Sequence, residues 1–315
     1  LACVKDVVRN AGDLSEFIEK VRVENMILVT GASGTVGGSV LNELLHKGAP
    51  VRAMYRSAED AAKAPPGAEA AIADFADRAS LDRALDGIEK VFLVCSPIPQ
   101  LVEFEMNMVE ACRAHGIRHL VLNSAYGAGQ YEKSFPSWHY TVEQGVKASG
   151  LAATILRPET FMQNIVTYYS GTIRSDHAFY AAQGDAPMAF IDRSDIGAVA
   201  ATVLTSDGHA GATYTLTGSE ALSYAEVAAR LSRLLGISVQ YVNLAPQQIE
   251  QSLVGLGMPA WQARAILELQ AFYSDGPGTT ITGDVEKVLG RPPLRFDAFV
   301  QENANSFGVQ TLASK

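Results

Sequence analysis

The sequence predicts an α/β protein, a doubly wound parallel sheet followed by a smaller, mixed C-terminal lobe. Three observations predict it. Short apolar segments alternate with amphipathic ones from residue 26 to residue 158. A glycine-rich turn joins the first strand to the first helix. The alternation then loosens beyond Pro158. Hydrophobic residues make up 48% of the 315 and charged residues 19%, which supplies a large core and excludes global disorder. A net charge of −9 with no block of Lys or Arg argues against nucleic acid as a partner. No apolar run approaches the roughly 18–20 residues of a membrane span. Cys3, Cys95 and Cys112 form no CxxC pair, and the histidines are dispersed without an HExxH pattern. That excludes a disulfide framework, predicts no metal site and fits the cytoplasm.

The elements follow in order. Residues 1–25 are expected as an extension with one amphipathic helix, because Leu14, Phe17, Ile18 and Val21 recur at helical spacing after Asp13. A start-site extension is the plainer reading. Residues 26–30 form a short strand, and 35–47 a helix ended by Gly48. Strands are expected at 51–55, 70–73, 91–95, 119–123 and 153–156, with helices at 80–85, 101–115 and 137–149 between them. Such alternation specifies a parallel sheet covered on both faces. Domain boundaries therefore fall at 26–158 and 159–315, with 194–216 (a helix, then a strand at 213–216) returning to the first sheet. Residues 159–190 mix aromatics with polar residues, half of them expected in the core and half lining a pocket. Ser223 and Glu226 form a capping box for a helix over 223–235, and later helices are expected near 247–256 and 259–270.

The turn Thr30-Gly-Ala-Ser-Gly-Thr-Val-Gly37 carries the first chemistry. Gly31 permits the tight turn, Gly34 the approach of a phosphate, and Gly37 the packing of helix on strand. Amides at the helix start, including that of Val36, then face a pyrophosphate, with Ser33 and Thr35 adding hydroxyls. No Lys-Ser/Thr pair follows, so this is not a loop for nucleoside triphosphates. At the end of the second strand, where an NAD site places Asp or Glu, stands Arg56. A guanidinium there suits a 2′-phosphate, so NADPH is expected over NADH, with weaker NADH use left open by Glu59 and Asp60. Asp74 is placed to accept from the adenine amino group and Phe75 to border the ring. Ser96 and Pro97 run beside the nicotinamide ribose. Pro158, Thr160 and Phe161 complete the cofactor set.

Together with these residues, Asn107 with Ala111 before Ala114-His-Gly116, His139-xxx-Glu143, Ser149-Gly-Leu-Ala-Ala-Thr-Ile-Leu-Arg-Pro158, Phe161-Met-Gln-Asn164, Asp195-Ile-Gly, the capping box and Gly290-Arg-Pro-Pro293 with Phe296 give the chain a resemblance to the NmrA-like branch of the atypical short-chain dehydrogenase/reductases. It runs from residue 26 to about residue 308. The resemblance implies a Rossmann-type domain with a substrate lobe, and NADP(H) binding. Such proteins include reductases of quinones, azo dyes and triphenylmethane dyes, and cofactor-sensing regulators without turnover.

The Tyr-xxx-Lys pair of ordinary short-chain reductases is absent, because Gln144 stands four residues after Tyr140. Ser124 ends the fifth strand where the catalytic serine of those enzymes would be. His139 and Glu143 share a helix face; the resemblance places a His and a Glu at this spacing in dye and quinone reductases. His139 orients the nicotinamide ribose or donates a proton, or is a packing histidine. The catalytic candidates are His139, Tyr140, Ser124 and Glu143. Without a strong acid, an acceptor that spreads or neutralises the incoming charge suits the site better than a simple ketone. The expected function is NADPH-dependent reduction of a small conjugated or aromatic acceptor, a quinone, an azo compound or similar. The alternative is an NADP(H) sensor that binds a protein partner. A nucleotide-sugar epimerase is weakened by the missing Tyr-xxx-Lys. A homodimer is expected from the prevalence of closed two-fold pairs.

Overall fold

The computed structural model describes residues 25–309. The helix expected within residues 1–25 lies outside them. Seven strands form one parallel sheet: β1 (Ile27–Val29), β2 (Val51–Tyr55), β3 (Ala68–Ile72), β4 (Lys90–Leu93), β5 (His119–Asn123), β6 (Ala153–Pro158) and β8 (Thr213–Leu216). Their order is β3-β2-β1-β4-β5-β6-β8. The strand at 213–216 thus pairs with β6 from beyond the first 158 residues. The chain runs outward from β1 to β3, then returns to continue from β4. The switch falls between β1 and β4, where the loops diverge and a doubly wound sheet has its crevice.

Helices cover both faces. On one side α1 (Thr35–His46) and α7 (Arg193–Thr205) bury Val40, Leu41, Leu44, Val199, Val203 and Leu204 against the sheet. On the other, α3 (Arg78–Leu85), α4 (Leu101–Ala114) and α5 (Ser134–Ser149) bury Leu81, Met108, Val109, Val142 and Val146. The short α2 (Ala58–Ala61) starts at Ser57, whose side chain accepts from the Asp60 amide. Asp77, not Ser80, begins α3, because its carboxylate caps the Ala79 amide. α5 starts three residues before the expected position, with Pro136 in its first turn, where a missing N–H costs nothing. It ends at Gly150 in the left-handed conformation.

The remaining chain builds a second core. A π-helix (Ile165–Tyr169) leads into α6 (Ser170–Asp176) and β7 (Ala178–Ala181). β7 pairs in parallel with β9 (Gln240–Asn243). Between these strands in sequence, α8 (Tyr224–Leu235) begins with the expected capping box at Ser223 and Glu226. Further on come α9 (Pro246–Gly255), α10 (Ala260–Ser274), a 3-10 turn (Pro277–Thr279), α11 (Asp284–Leu289) and α12 (Phe296–Glu302). Phe179, Phe190, Phe296 and Phe299 are almost fully buried here, whereas Tyr168 is exposed. α12 is fastened to the first core by Asp195 of α7, which accepts from Arg291 at 2.7 Å and from the Leu294 amide at 2.7 Å. Among the described residues no helix is long and apolar enough to cross a membrane.

Candidate functional site

The turn after β1 has the geometry its glycines require. Gly31 has φ +57°, and a Cβ there would lie 2.9 Å from the Val94 side chain. A Cβ at Gly37 would lie 2.2 Å from the Gly31 carbonyl oxygen, so only glycine lets α1 start this close to the turn. α1 has Gly34 at its N-cap and no side-chain cap. Its first-turn amides are therefore left for solvent or a ligand. Ser33, Gly34 and Thr35 are exposed, while Val36 and Gly37 are buried beneath them. The adjacent β4 loop is locked to this turn: Thr30 Oγ1 donates to the Val94 carbonyl at 2.9 Å and accepts from the Val94 amide at 2.8 Å.

Arg56 is exposed at the end of β2, and among the described residues it makes no hydrogen bond or ion pair. Arg52, four residues earlier in the strand, is consumed by Glu69 at 2.8 Å and by the carbonyls of Ala84 and Asp86. Asp74 uses Oδ1 to accept from the Ala76 amide at 2.8 Å, which shapes the turn after β3. Phe75 stacks on Phe104, ring centroids 6.2 Å apart, and its carbonyl accepts from Asn107 at 3.0 Å. Ser96 and Pro97 are exposed beyond β4. The segment before them is held from below by fully buried Glu105, whose Oε1 accepts from the Cys95 amide at 3.0 Å. Burial pushes the Glu105 carboxyl well above its ordinary range and the Cys95 thiol up to about 12.

The catalytic candidates separate into two groups. Ser124 Oγ donates to Glu143 Oε1 at 2.6 Å. Glu143 has no exposed surface, and Arg157 of β6 grips it through two bonds, Nε to Oε1 at 2.8 Å and Nη2 to Oε2 at 2.6 Å. That bond holds the Arg157 guanidinium above its usual range. Glu143 is thus the hub of a Ser124–Glu143–Arg157 cluster. His139, one turn earlier on α5, is 7% exposed and its Nδ1 is buried without a partner. Burial pushes it down to about 4, against the pull of Glu143, so the ring is neutral at pH 7. Tyr140 is 40% exposed, close enough to Arg157 to act on its charge, and packed where a Cβ at Gly129 would meet its ring at 2.8 Å.

Pro158 is buried at the end of β6, and Thr160 and Phe161 are half-buried after it. The Thr160 carbonyl accepts from the Ile191 amide at 3.0 Å, which ties this segment to the chain entering α7. Several polar residues here escaped the sequence reading: Thr30, Glu105, Asn123 (whose Oδ1 is buried and unpartnered), Arg157 and Glu159. The available signal was a charged residue inside an apolar strand, as at Arg157 between Leu156 and Pro158. Among the described residues no group of three or more His, Cys, Asp or Glu is placed to hold a metal ion. An uncapped helix start, two exposed hydroxyls and an unpaired guanidinium instead form a donor set suited to phosphate groups.

Comparison with known proteins places the chain among reductases. The chain is 36% identical over 289 residues to an NAD(P)H azoreductase of Xenophilus azovorans, covering 90% of this chain and all of that protein. It is also 36% identical over 287 residues to a (4-alkanoyl-5-oxo-2,5-dihydrofuran-3-yl)methyl phosphate reductase of Streptomyces griseus, covering 90% of this chain and 100% of that one. The fold superposes with a TM-score of 0.81 on the NADPH-dependent quinone oxidoreductase of Escherichia coli solved with NADPH, at 28% identity, over 88% of this chain and 99% of that one. The model of the NmrA-like family matches residues 23–291. The chain belongs to the NmrA-like family.

Proposed function

We propose that this protein is an NADPH-dependent reductase of a small conjugated or aromatic acceptor, a quinone, an azo compound or similar. The observation that carries the reading is the uncapped α1 start beside the unpaired Arg56, both at the rim where the sheet changes direction. The amides of the α1 first turn, with Ser33, Gly34 and Thr35, hold the diphosphate, and Arg56 pairs with the 2′-phosphate. NADH, lacking that phosphate, binds more weakly. Asp74 and Phe75 border the adenine; Ser96, Pro97, Pro158, Thr160 and Phe161 flank the nicotinamide half. Bound NADPH supplies a hydride to the acceptor. His139, neutral and with an unused Nδ1, orients the cofactor ribose or the acceptor by hydrogen bonding, while the Ser124–Glu143–Arg157 cluster fixes the helix that carries it. Tyr140 takes part only from the solvent side of α5. The lobe beyond residue 159 closes over the acceptor.

The related azoreductase and quinone oxidoreductase support this choice of acceptor. The protein acts in the cytoplasm, as a homodimer, and without nucleic acid, whose phosphates a net charge of −9 repels. The experiment is NADPH oxidation by purified protein against a panel of quinones and azo dyes. Turnover with at least one class is the expected result. Tight NADPH binding with no turnover across the panel would replace the reductase with a cofactor sensor.

A further inference from the structure

Just past β6 the chain holds a buried acid that the cofactor assignment leaves without a task. Glu159 is 1% exposed. Its Oε2 is held by the Tyr273 hydroxyl at 2.5 Å and by the Thr160 amide, while its Oε1 is buried with no partner. Tyr273 stacks on Tyr126, with ring centroids 6.3 Å apart and planes 15° apart. The Tyr126 hydroxyl in turn donates to the Pro277 carbonyl. A Cβ at Gly278 would lie 2.9 Å from both Glu159 Oε1 and the Tyr273 ring. The turn Pro277–Thr279 is therefore a roof laid directly on the carboxyl. The titratable groups facing Glu159 are Tyr273 from α10 and Tyr126 from the loop after β5, and neither carries a positive charge. The roof contributes only Pro, Gly and Thr.

A carboxylate in this position leaves one charged oxygen unpaired, which is costly in a dry interior. Burial accordingly pushes the Glu159 carboxyl up to about 7, against the bonds from Tyr273 and Thr160. The acid sits beside the reaction zone. Tyr126 lies two residues after Ser124, its amide bonds the Pro158 carbonyl at 2.9 Å, and Thr160 follows Glu159 directly.

We propose that Glu159, acting through the Tyr273 hydroxyl, supplies the proton for acceptors that become anions when they take a hydride. This rests on the reductase reading above. The acceptor takes two electrons and a hydrogen nucleus from the dihydronicotinamide, which is oxidised to the pyridinium form. In the carboxylate form Tyr273 donates to Glu159 Oε2; with that oxygen protonated the bond reverses, and the anion takes the Tyr273 hydroxyl proton as the Glu159 O–H bond breaks and a new O–H bond forms on Tyr273. Glu159 is left as the carboxylate and recovers its proton from water once product leaves. A quinone or azo acceptor requires this proton. A cationic triphenylmethane dye does not, because the hydride alone neutralises it.

Two measurements test the proposal. First, the protonated-carboxyl infrared band of the cofactor-free protein is followed against pH. A component lost with a midpoint near 7, absent in Glu159→Gln, is expected; loss of that component only below pH 5 overturns the proposal. Second, the kcat of Glu159→Gln and of Tyr273→Phe is compared on a quinone and on a cationic triphenylmethane dye, using one preparation of each variant. The quinone rate should fall by about 10²-fold, at least tenfold more than the dye rate, and its dependence on a group near 7 should vanish. Misfolded material lowers both rates alike and leaves their ratio intact. Equal losses on the two acceptors, or no loss on the quinone, overturn the proposal. Wild-type protein that reduces neither acceptor brings down the reductase reading, and the proton supply with it, while the infrared arm still reports on Glu159.

Discussion

The two halves of the sheet rim are built in opposite ways. Around β1, β2 and β4 the rim is backbone and exposed side chain: glycines, an uncapped helix start, and an arginine with nothing to hold. Around β5, β6 and α5 it is a dense set of polar groups, with Ser124, His139, Glu143 and Glu159 buried and Arg157 half-buried. On the proposed reading the first half would bind at almost no cost to folding, because its exposed donors are solvated when empty. The second half is committed in the folded state, where its charges must find partners within the protein or forfeit their solvation. Binding and chemistry therefore respond to mutation differently.

The largest expected effect breaks the buried half. Arg157→Met leaves the buried Glu143 carboxylate with the Ser124 hydroxyl and the looser Lys147 ammonium at 3.8 Å, and should lower the unfolding free energy by about 3 kcal/mol in a denaturant titration. A loss below about 1 kcal/mol would show that Glu143 is solvated after all. Arg56→Asp probes the open half. It should change stability by less than about 0.5 kcal/mol while weakening NADPH binding by about 1.5–3 kcal/mol through lost charge-assisted bonds. Calorimetry with NADH should show a much smaller change, and equal losses for the two cofactors would remove Arg56 from the 2′-phosphate site.

The smallest effect sharpens the contrast through pH. His139 is pushed down to about 4, whereas an unfolded histidine titrates near 6.5. Its neutral form is the one the fold accommodates. That contribution is complete above pH 6.5 and drains away as the pH falls toward 4. By pH 5 the loss amounts to about 2 kcal/mol. Buried carboxyls such as Glu159 pull in the opposite sense, so the measurement is the difference between the stability curves of wild type and His139→Phe. A difference that stays constant from pH 7 to pH 5 would place His139 in solvent.

Local signals made the first half readable from the sequence. The glycine turn, the strand ends and the capping box at Ser223 are each written within a few neighbouring residues, and so is the absence of an acid at β2. The rest depends on partners far apart in the chain. Nothing near Glu143 announces Arg157, and nothing near Glu159 announces Tyr273, 114 residues away. The parallel pairing of β7 with β9 and the π-helix at Ile165–Tyr169 have the same origin. Their segments are too short and too aromatic to show a clean period, and packing in the second core decides them. The spacing of His139 and Glu143 did place both on one helix face, but the burial of that face, and so the neutral ring, arises from the packing of α5 on its neighbours.

Thr30 couples two loops at the rim of the sheet. Its single hydroxyl is both donor to and acceptor from Val94, so the turn after β1 and the loop after β4 share one clasp. A ligand that shifts one edge must carry the other along. If the crevice binds as proposed, this side of it is a rigid jaw, and room for a bulky acceptor has to come from the chain beyond residue 159.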